Sequence, residues 1–284
     1  MDAQYKVIDP VKFYRDHLAH KIRPDGRGLL KFRPAVINVD SIGTADGSAI
    51  VKIGNTTVVC GVKLELGVPK PEESNIGWLV PNVTLPPLCS PRFHPGPPSD
   101  EAQVASNMLA EILSNASVLD LRALCVVPER LAWAVYLDAV CLNHDGSILD
   151  ACVVAAVAAL RTVRLPRVEH DADKDITKVF PDERSSLPIT GAPIPTTHAI
   201  FEDEVILVDP TSDEESLASG LVTITVQNDQ MCSVYKPGGS PLADENMQAC
   251  LSRARTRAIQ MNNLIEAALA ARDKEETKDQ KLIS

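Results

Sequence analysis

Residues 45–63, ADGSAIVKIGNTTVVCGVK, hold the most informative pattern in the chain: two strand-like runs flank Gly54-Asn55. A two-residue Gly-Asn connection supplies the backbone freedom of a tight turn, so the segment predicts a β-hairpin. Upstream, residues 9–20 place Val11, Tyr14 and Leu18 on one side at helical spacing, and Asp9 and Pro10 suit an N-cap and first turn. A short amphipathic helix is expected there. Residues 67–98 are dense in proline, which disfavours central sheet and helix interior and predicts an extended loop carrying Arg92 outward. Ala102, Ala105, Met108, Leu109 and Ile112 form one helical face within residues 100–113, and residues 131–142 read as a mostly buried strand. Asp145-Gly146-Ser147 then turns the chain into residues 148–163, apolar nearly all round, which predicts a central helix covered on several sides. Ser147 and Asp150 form the S-x-x-D pattern of a capping box.

From residue 164 to 195 periodicity fades while charge and proline rise, with an acidic stretch at 169–175, so a long surface insertion or linker is expected. The plan then repeats. Strand-like runs at 197–201, 205–208, 221–226 and 231–235 lead into a long helix over residues 241–272. Met247, Cys250, Leu251, Ala254, Ala258, Met261, Ile265 and Ala268 form its apolar stripe. Two consecutive sheet-then-helix units predict a duplicated α+β domain. Residues 272–281 alternate in charge without apolar anchors and are expected to fray.

Composition narrows the setting. An apolar share of 45% over 284 residues is ordinary for a globular chain that buries a core. Seven cysteines, an odd number with no C-x-x-C pair, point to buried thiols in a reducing compartment, not to disulfides or zinc. The start of the chain has no basic and apolar regions of a secretory signal, and the longest apolar run, 151–160, is too short to span a bilayer. A soluble intracellular protein with no membrane partner is expected. A net charge of −10 works against broad binding to phosphate backbones, so any nucleic-acid contact must be local or shared with partners.

Several segments carry a resemblance. Arg23-Pro24-Asp25-Gly26-Arg27 precedes the hairpin, residues 80–93 read VPNVTLPPLCSPRF, residues 101–106 read EAQVAS, and Lys236-Pro237-Gly238-Gly239-Ser240 follows later. Together, over roughly residues 23–259, they resemble the ribonuclease PH-like subunits that build the ring of the RNA exosome. The resemblance implies a ribonuclease PH-like α+β fold with two similar βαβα halves, of the ribosomal protein S5 domain 2-like type. Residues 1–22 would be an N-terminal helical extension and residues 23–272 the domain, with halves at about 23–165 and 193–272 joined by an insertion at 166–192. Residues 273–284 would be a charged tail. It further implies other ribonuclease PH-like ring subunits, OB-fold and KH cap subunits, single-stranded RNA and associated hydrolytic exoribonucleases as partners, and work in nucleus, nucleolus and cytoplasm.

The resemblance also implies chemistry that this chain lacks. Phosphorolytic members hold inorganic phosphate with a Gly-Thr-Arg motif where a strand turns into a helix; the matching residues here are Ile148 and Leu149, after Ser147. A helix N-terminus attracts anions through its free N–H groups, and arginine adds a bidentate clamp. Each charged hydrogen bond lost is worth roughly 1.5 to 3 kcal/mol. Asp150 in the first turn is expected to satisfy the same donors and repel phosphate. Active relatives carry paired aspartates where Ser219 and Leu221 stand, and neither of these supplies a titratable group for acid chemistry. Arginines expected near residues 113–118 are also missing. A non-catalytic ring subunit with no cofactor follows. The alternative is a phosphorolytic 3′-to-5′ exoribonuclease or nucleotidyltransferase whose site a neighbour completes, drawing on Arg23, Arg27 and Arg92.

Other constellations weigh less. His17 and His20 at i, i+3 lack a third ligand and read as solvated histidines. Asp209, Asp213, Glu214 and Glu215 read as a solvated acidic turn more than a metal site. Asp171, Asp173 and Asp175 mimic the start of a calcium loop, but Ile176 stands where that loop needs glycine and position twelve is Asp182. Pro237 to Ser240 suits a helix entry, with Ser240 as N-cap and Pro241 in the first turn, better than a phosphate loop. His94, His144 or His198 could serve a serine hydrolase, yet no G-x-S-x-G elbow accompanies them. Arg253, Arg255 and Arg257 split between helix faces and read as salt-bridged surface. Arg92 is the candidate RNA contact, set against a structural ion pair.

Overall fold

The computed structural model describes residues 2–171, 176–202 and 205–283. Two helices open it, α1 (Asp2–Ile8) and α2 (Pro10–Ala19). Asp9 caps α2 by accepting from the Lys12 N–H, with Pro10 at its first turn as expected. Phe13, Tyr14 and Leu18 are its buried residues; Val11, expected on that side, is exposed.

The first sheet is built from β1 (Ala35–Val39), β2 (Gly47–Ile53), β3 (Thr56–Gly67), β4 (Trp78–Thr84), β5 (Cys125–Val127) and β6 (Leu131–Asn143). Its order is β1-β2-β3-β6-β4, with β5 added to β6. The predicted hairpin is β2–β3, with Ile53 opposite Thr56 and Gly54 at a φ of +58° in the turn. The proline-rich segment differs from expectation, because β4 runs through it and includes Pro81. Strand β4 pairs in parallel with β6 and forms one end of the sheet path, the place where a residue without an N–H is tolerated.

Two helices cover this sheet, α3 (Asp100–Asn115) and α4 (Ile148–Thr162). Ser99 caps α3, which buries Ala102, Ala105, Leu109, Ile112 and Leu113. Helix α4 is the predicted central helix: every residue from Asp150 to Leu160 is buried.

The expected irregular insertion is a two-stranded ribbon, β7 (Arg164–Asp171) with β8 (Ile176–Ser186). The second sheet follows, with β9 (Ile194–Phe201), β10 (Val205–Val208), α5 (Ser212–Leu217), β11 (Gly220–Gln227) and β12 (Gln230–Tyr235), in the order β10-β9-β11-β12. Helix α6 (Asp244–Ile283) completes the chain. It begins after the Pro237 to Ser240 turn, so Ser240 is no N-cap; its N–H donates to the Ser219 carbonyl at 3.1 Å. The helix also continues through the tail expected to fray. Its stripe buries Cys250, Ala254, Ala258, Met261 and Ile265.

Helix α4 packs on β2 and β3 on one side and β9 on the other, while α6 packs on β9, β11 and β1. One continuous apolar core therefore spans both halves, from Val51, Val58 and Leu137 through α4 to Ile194, Ile224 and Ile265. This α+β architecture of two sheet-and-helix halves brings the end of β6, the start of α4 and the acidic segment after β10 together. Among the described residues, no helix is long and apolar enough to cross a membrane.

Candidate functional site

The strand-to-helix turn after β6 is shaped by backbone geometry. Gly146 adopts a φ of +77°, and a Cβ there would stand 2.4 Å from the Pro210 carbonyl oxygen. Only glycine lets the two loops approach this closely. Ser147 follows in a left-handed conformation, φ +51°, and forms no side-chain cap; its hydroxyl donates to the Pro210 carbonyl at 3.1 Å. The S-x-x-D capping box is therefore not formed.

Asp150 points across the core. Its carboxylate accepts from the Thr197 N–H at 2.9 Å and the Thr197 hydroxyl at 2.8 Å on β9. Burial pushes its pKa up to about 7, with the Thr197 hydrogen bonds pulling the other way. Asp150 thus joins the two halves, and the carboxylate at the start of α4 is a different one. Glu215, in α5, accepts from the Ser147 N–H at 2.6 Å. Burial pushes the Glu215 carboxyl up, opposed by the Ser147 N–H, His144 and Arg33. Ile148 and Leu149, the two residues at the lost phosphate position, pack their side chains against the core. Neither supplies a hydroxyl or a cation.

The acidic segment expected to be a solvated turn is instead held by buried arginines. Arg23 is fully buried; its Nε donates to Glu214 Oε1 at 2.8 Å, its Nη1 to the Val208 carbonyl at 2.8 Å and its Nη2 to the Asp209 carbonyl at 3.1 Å. A second contact joins Arg23 Nη2 to Glu214 Oε2. Arg33 donates from Nη2 to Asp209 Oδ1 at 2.6 Å, from its backbone N–H to Asp209 Oδ2 at 2.7 Å, and from Nη1 to the Asp145 carbonyl at 2.5 Å. Burial alone would raise Asp209, but Arg33 overrides it and holds the carboxyl below the usual range. Arg27 is engaged by Asp25 at 2.5 Å and the Asp209 carbonyl at 3.3 Å. Thr211 caps α5 in a reciprocal box with Glu214. The T-x-x-E spacing of Thr211 and Glu214 was the signal for this helix, and with it for the position of Glu215. Arg33 carried no comparable sequence signal.

Arg92 lies at the rim. Its Nη2 donates to Glu101 Oε1 at 2.6 Å and stands 3.0 Å from His144 Nε2, and the guanidinium covers the Phe93 ring at 4.9 Å. Its side chain is still 43% exposed, so an ion pair and an accessible face coexist. His144 beside it, and then Arg92, hold Glu101 below the ordinary carboxylate range against partial burial.

Ser219 and Leu221, the positions matched to the paired aspartates, flank Gly220 at the start of β11. The Ser219 hydroxyl donates to the Ile200 carbonyl at 2.9 Å, and Leu221 packs on the small cluster around Leu18, Ala199, Phe201 and Leu207. Of the basic cluster on α6, Arg255 pairs with Asp229 at 3.1 Å as expected for a surface residue. Arg257 does not: it is buried over the Phe32 ring at 4.5 Å. His17 contacts its own helix through the Phe13 carbonyl at 2.8 Å. His198 is fully buried in β9, where desolvation lowers its pKa to about 4, and His144 faces Glu101 and Arg92. Among the described residues no group of three or more His, Cys, Asp or Glu is arranged for a metal. Asp173 and Asp175 of the calcium-loop pattern lie outside the described residues.

Two sheet-and-helix halves joined by a central helix, with a strand-to-helix turn set against an acidic segment from the other half, define a duplicated α+β domain of the ribonuclease PH type. The chain belongs to the 3′ exoribonuclease family: residues 31–166 match its domain 1 and residues 191–257 its domain 2. It is 36% identical over 254 residues to the exosome complex component rrp43 of Schizosaccharomyces pombe, covering 89% of this chain and 94% of that protein. It is 35% identical over 262 residues to the exosome complex component Rrp42 of Thermococcus onnurineus, covering 90% and 96%. Among solved structures, it resembles a chain of the Archaeoglobus fulgidus exosome with RNA bound to the active site, at a TM-score of 0.77 and 31% identity over 93% of this chain and 96% of that one. A chain of an archaeal exosome core follows at a TM-score of 0.74 and 27% identity, over 92% and 98%.

Proposed function

We propose that this chain is a non-catalytic structural subunit of an exosome-type ring, which supports 3′-to-5′ RNA processing and degradation by helping to thread single-stranded RNA to associated hydrolytic nucleases. The observation that carries the reading is the first turn of α4, where Ile148 and Leu149 pack against the core in place of a hydroxyl and a guanidinium. A phosphate held there would lose the bidentate clamp that makes such a site effective. The names of the two relatives given above, both exosome complex components, support the ring itself. On this reading other ribonuclease PH-like subunits flank the chain, OB-fold and KH proteins cap the ring, and the complex works in nucleus, nucleolus and cytoplasm. Arg92 is the residue on which RNA contact rests, through sequence-independent backbone binding.

The phosphorolytic alternative needs arginines that reach a shared site. Arg23 is fully buried against Glu214 and Arg27 is engaged by Asp25 and Asp209, which leaves Arg92 alone of the three with an exposed face. Native mass spectrometry of the tagged protein from its own cells tests the proposal. Recovery in stoichiometric complex with several different ring and cap subunits, without phosphate-dependent release of nucleoside diphosphates at this subunit, is expected. A monomer or self-ring that degrades RNA with phosphate would overturn it.

A further inference from the structure

We propose that a single ordered water molecule is built into the junction of the two halves, in a small cavity between α4, β9 and α6, where it joins the Arg257 guanidinium and the Thr196 hydroxyl to the carboxylates of Asp150 and Asp209. The inference holds whether or not the chain is catalytic.

The cavity lies in the interior. Its walls include Asp150 and Val154 of α4, Thr196 of β9, Asp209 after β10 and Arg257 of α6. Phe32 is half-buried, and every other residue lining it is buried. The space open to the centre of a water molecule is about 10 Å³, room for one water and too little for a phosphate or a nucleotide. A space of this size with purely apolar walls would stay dry. These walls are not apolar.

Two polar groups in them lack a hydrogen-bond partner. Thr196 is buried, and among the described residues its Oγ1 has no partner. The adjacent Thr197, by contrast, gives its hydroxyl to Asp150 at 2.8 Å. Arg257 is buried as well, with its guanidinium 4.5 Å from the centre of the Phe32 ring, and among the described residues it makes no hydrogen bond. Burial works against its charge and pulls its pKa down; Asp209 and Asp150 favour the charge and Arg33 opposes it. A desolvated guanidinium is costly unless its N–H donors are met, and buried polar groups are met by protein or by ordered water.

Water is the ligand whose chemistry matches all four groups. It accepts from the guanidinium, donates to a carboxylate and bonds the Thr196 hydroxyl in either sense, within the about two to four partners that a buried water makes. A chloride would suit Arg257 but meet two carboxylates, and a metal cation would meet the guanidinium. The carboxylate of Asp150 has capacity left, since each of its oxygens accepts one bond from Thr197. The water thus supplies a hydrogen-bonded link from α6 to the junction and lets Arg257 keep its charge in the core.

A high-resolution crystal structure of the full-length protein tests this directly. One water peak is expected within hydrogen-bond distance of Thr196 Oγ1, an Arg257 nitrogen and a carboxylate oxygen of Asp150 or Asp209. A dry cavity, a peak that refines as an ion, or an Arg257 ion pair that closes the space would overturn the proposal. In solution, oxygen-17 magnetic relaxation dispersion counts waters held for longer than the protein tumbles. Thr196→Ile removes the hydroxyl and fills the space with a methyl group, and is expected to lose the contribution of one such water. Thr196→Val removes the hydroxyl alone and should shorten the residence of that water; it carries the solution test should Thr196→Ile not fold by circular dichroism. Equal dispersions in the wild type and the folded variants overturn the proposal.

Discussion

Arg33 and Arg92 use the same side chain in opposite ways. Arg33 is 5% exposed and gathers the Asp209 carboxylate and the carbonyls of Asp145, Gly146 and Pro210. Arg92, 43% exposed, holds one carboxylate and an aromatic face at the rim. Burial separates the roles. A desolvated guanidinium must keep all its partners or leave a charge uncompensated, whereas an exposed one exchanges a partner for water or for a phosphate at little loss. The molecule therefore has arginines that build the junction between its halves and an arginine free to meet a ligand, and residue type alone does not tell them apart.

The comparison is tested most severely by Arg33→Met. Removing one partner of a buried pair costs about 3–5 kcal/mol, and urea denaturation should read a loss of that order. A loss under about 1 kcal/mol, the value for an exposed pair, would show that Arg33 is not the junction described.

Asp150 gives the next effect, and its sign follows from linkage. Its carboxyl is raised from 3.8 to about 7 in the folded protein, so over that window the folded state keeps a proton that the unfolded chain has released. Stability contributed by the protonated group is present below the lower value and falls as pH rises through the window. Asp150→Asn preserves an acceptor for the Thr197 N–H and removes the titration. It should gain on the wild type by something on the order of a few kcal/mol between acid and neutral pH. Parallel stability profiles for the two proteins would refute this.

Arg92→Ala should lower stability by less than about 1 kcal/mol, as for exposed ion pairs. Arg92→Glu should weaken RNA crosslinking and threading in the assembled complex while the ring stays together. Loss of the ring would make Arg92 a structural residue and close the gap to Arg33. Smallest of all is Arg255→Ala, whose pair with Asp229 is 45% and 77% exposed. No change in melting temperature outside experimental scatter is expected.

Local patterns told most of the fold. The Gly54-Asn55 hairpin, the Ser99-capped face of α3, the all-apolar α4 and the stripe of α6 each depend on residues close in sequence. What stayed hidden depends on distant partners. Proline density spoke against a strand at Trp78–Thr84, but β4 tolerates Pro81 because it lies at the end of the sheet path. The charged, aperiodic run after α4 pairs with itself as β7 and β8, whose residues mostly face solvent and so show no apolar alternation. At the candidate site, the replacement of anion ligands by Ile148 and Leu149 was legible from the motif. The occupant was not: Asp150 satisfies the capping pattern but bonds Thr197, and Glu215 takes its expected place from another helix. The acidic run looked solvated because its counterions, Arg23 and Arg33, lie in another part of the chain.

The bond between Arg23 and Glu214 closes a separation of 191 residues. A chain emerging from the ribosome exposes Arg23 and Arg33 long before their carboxylates have been made, so both must stay hydrated while β1 to β6 assemble around α3 and α4. Loop closure over such a distance is slow relative to local pairing. The junction can therefore dehydrate only once β10 and α5 have been made. A fragment ending before β9 would keep these arginines in water and leave one side of α4 bare, the kind of exposed apolar surface that recruits chaperones or aggregates.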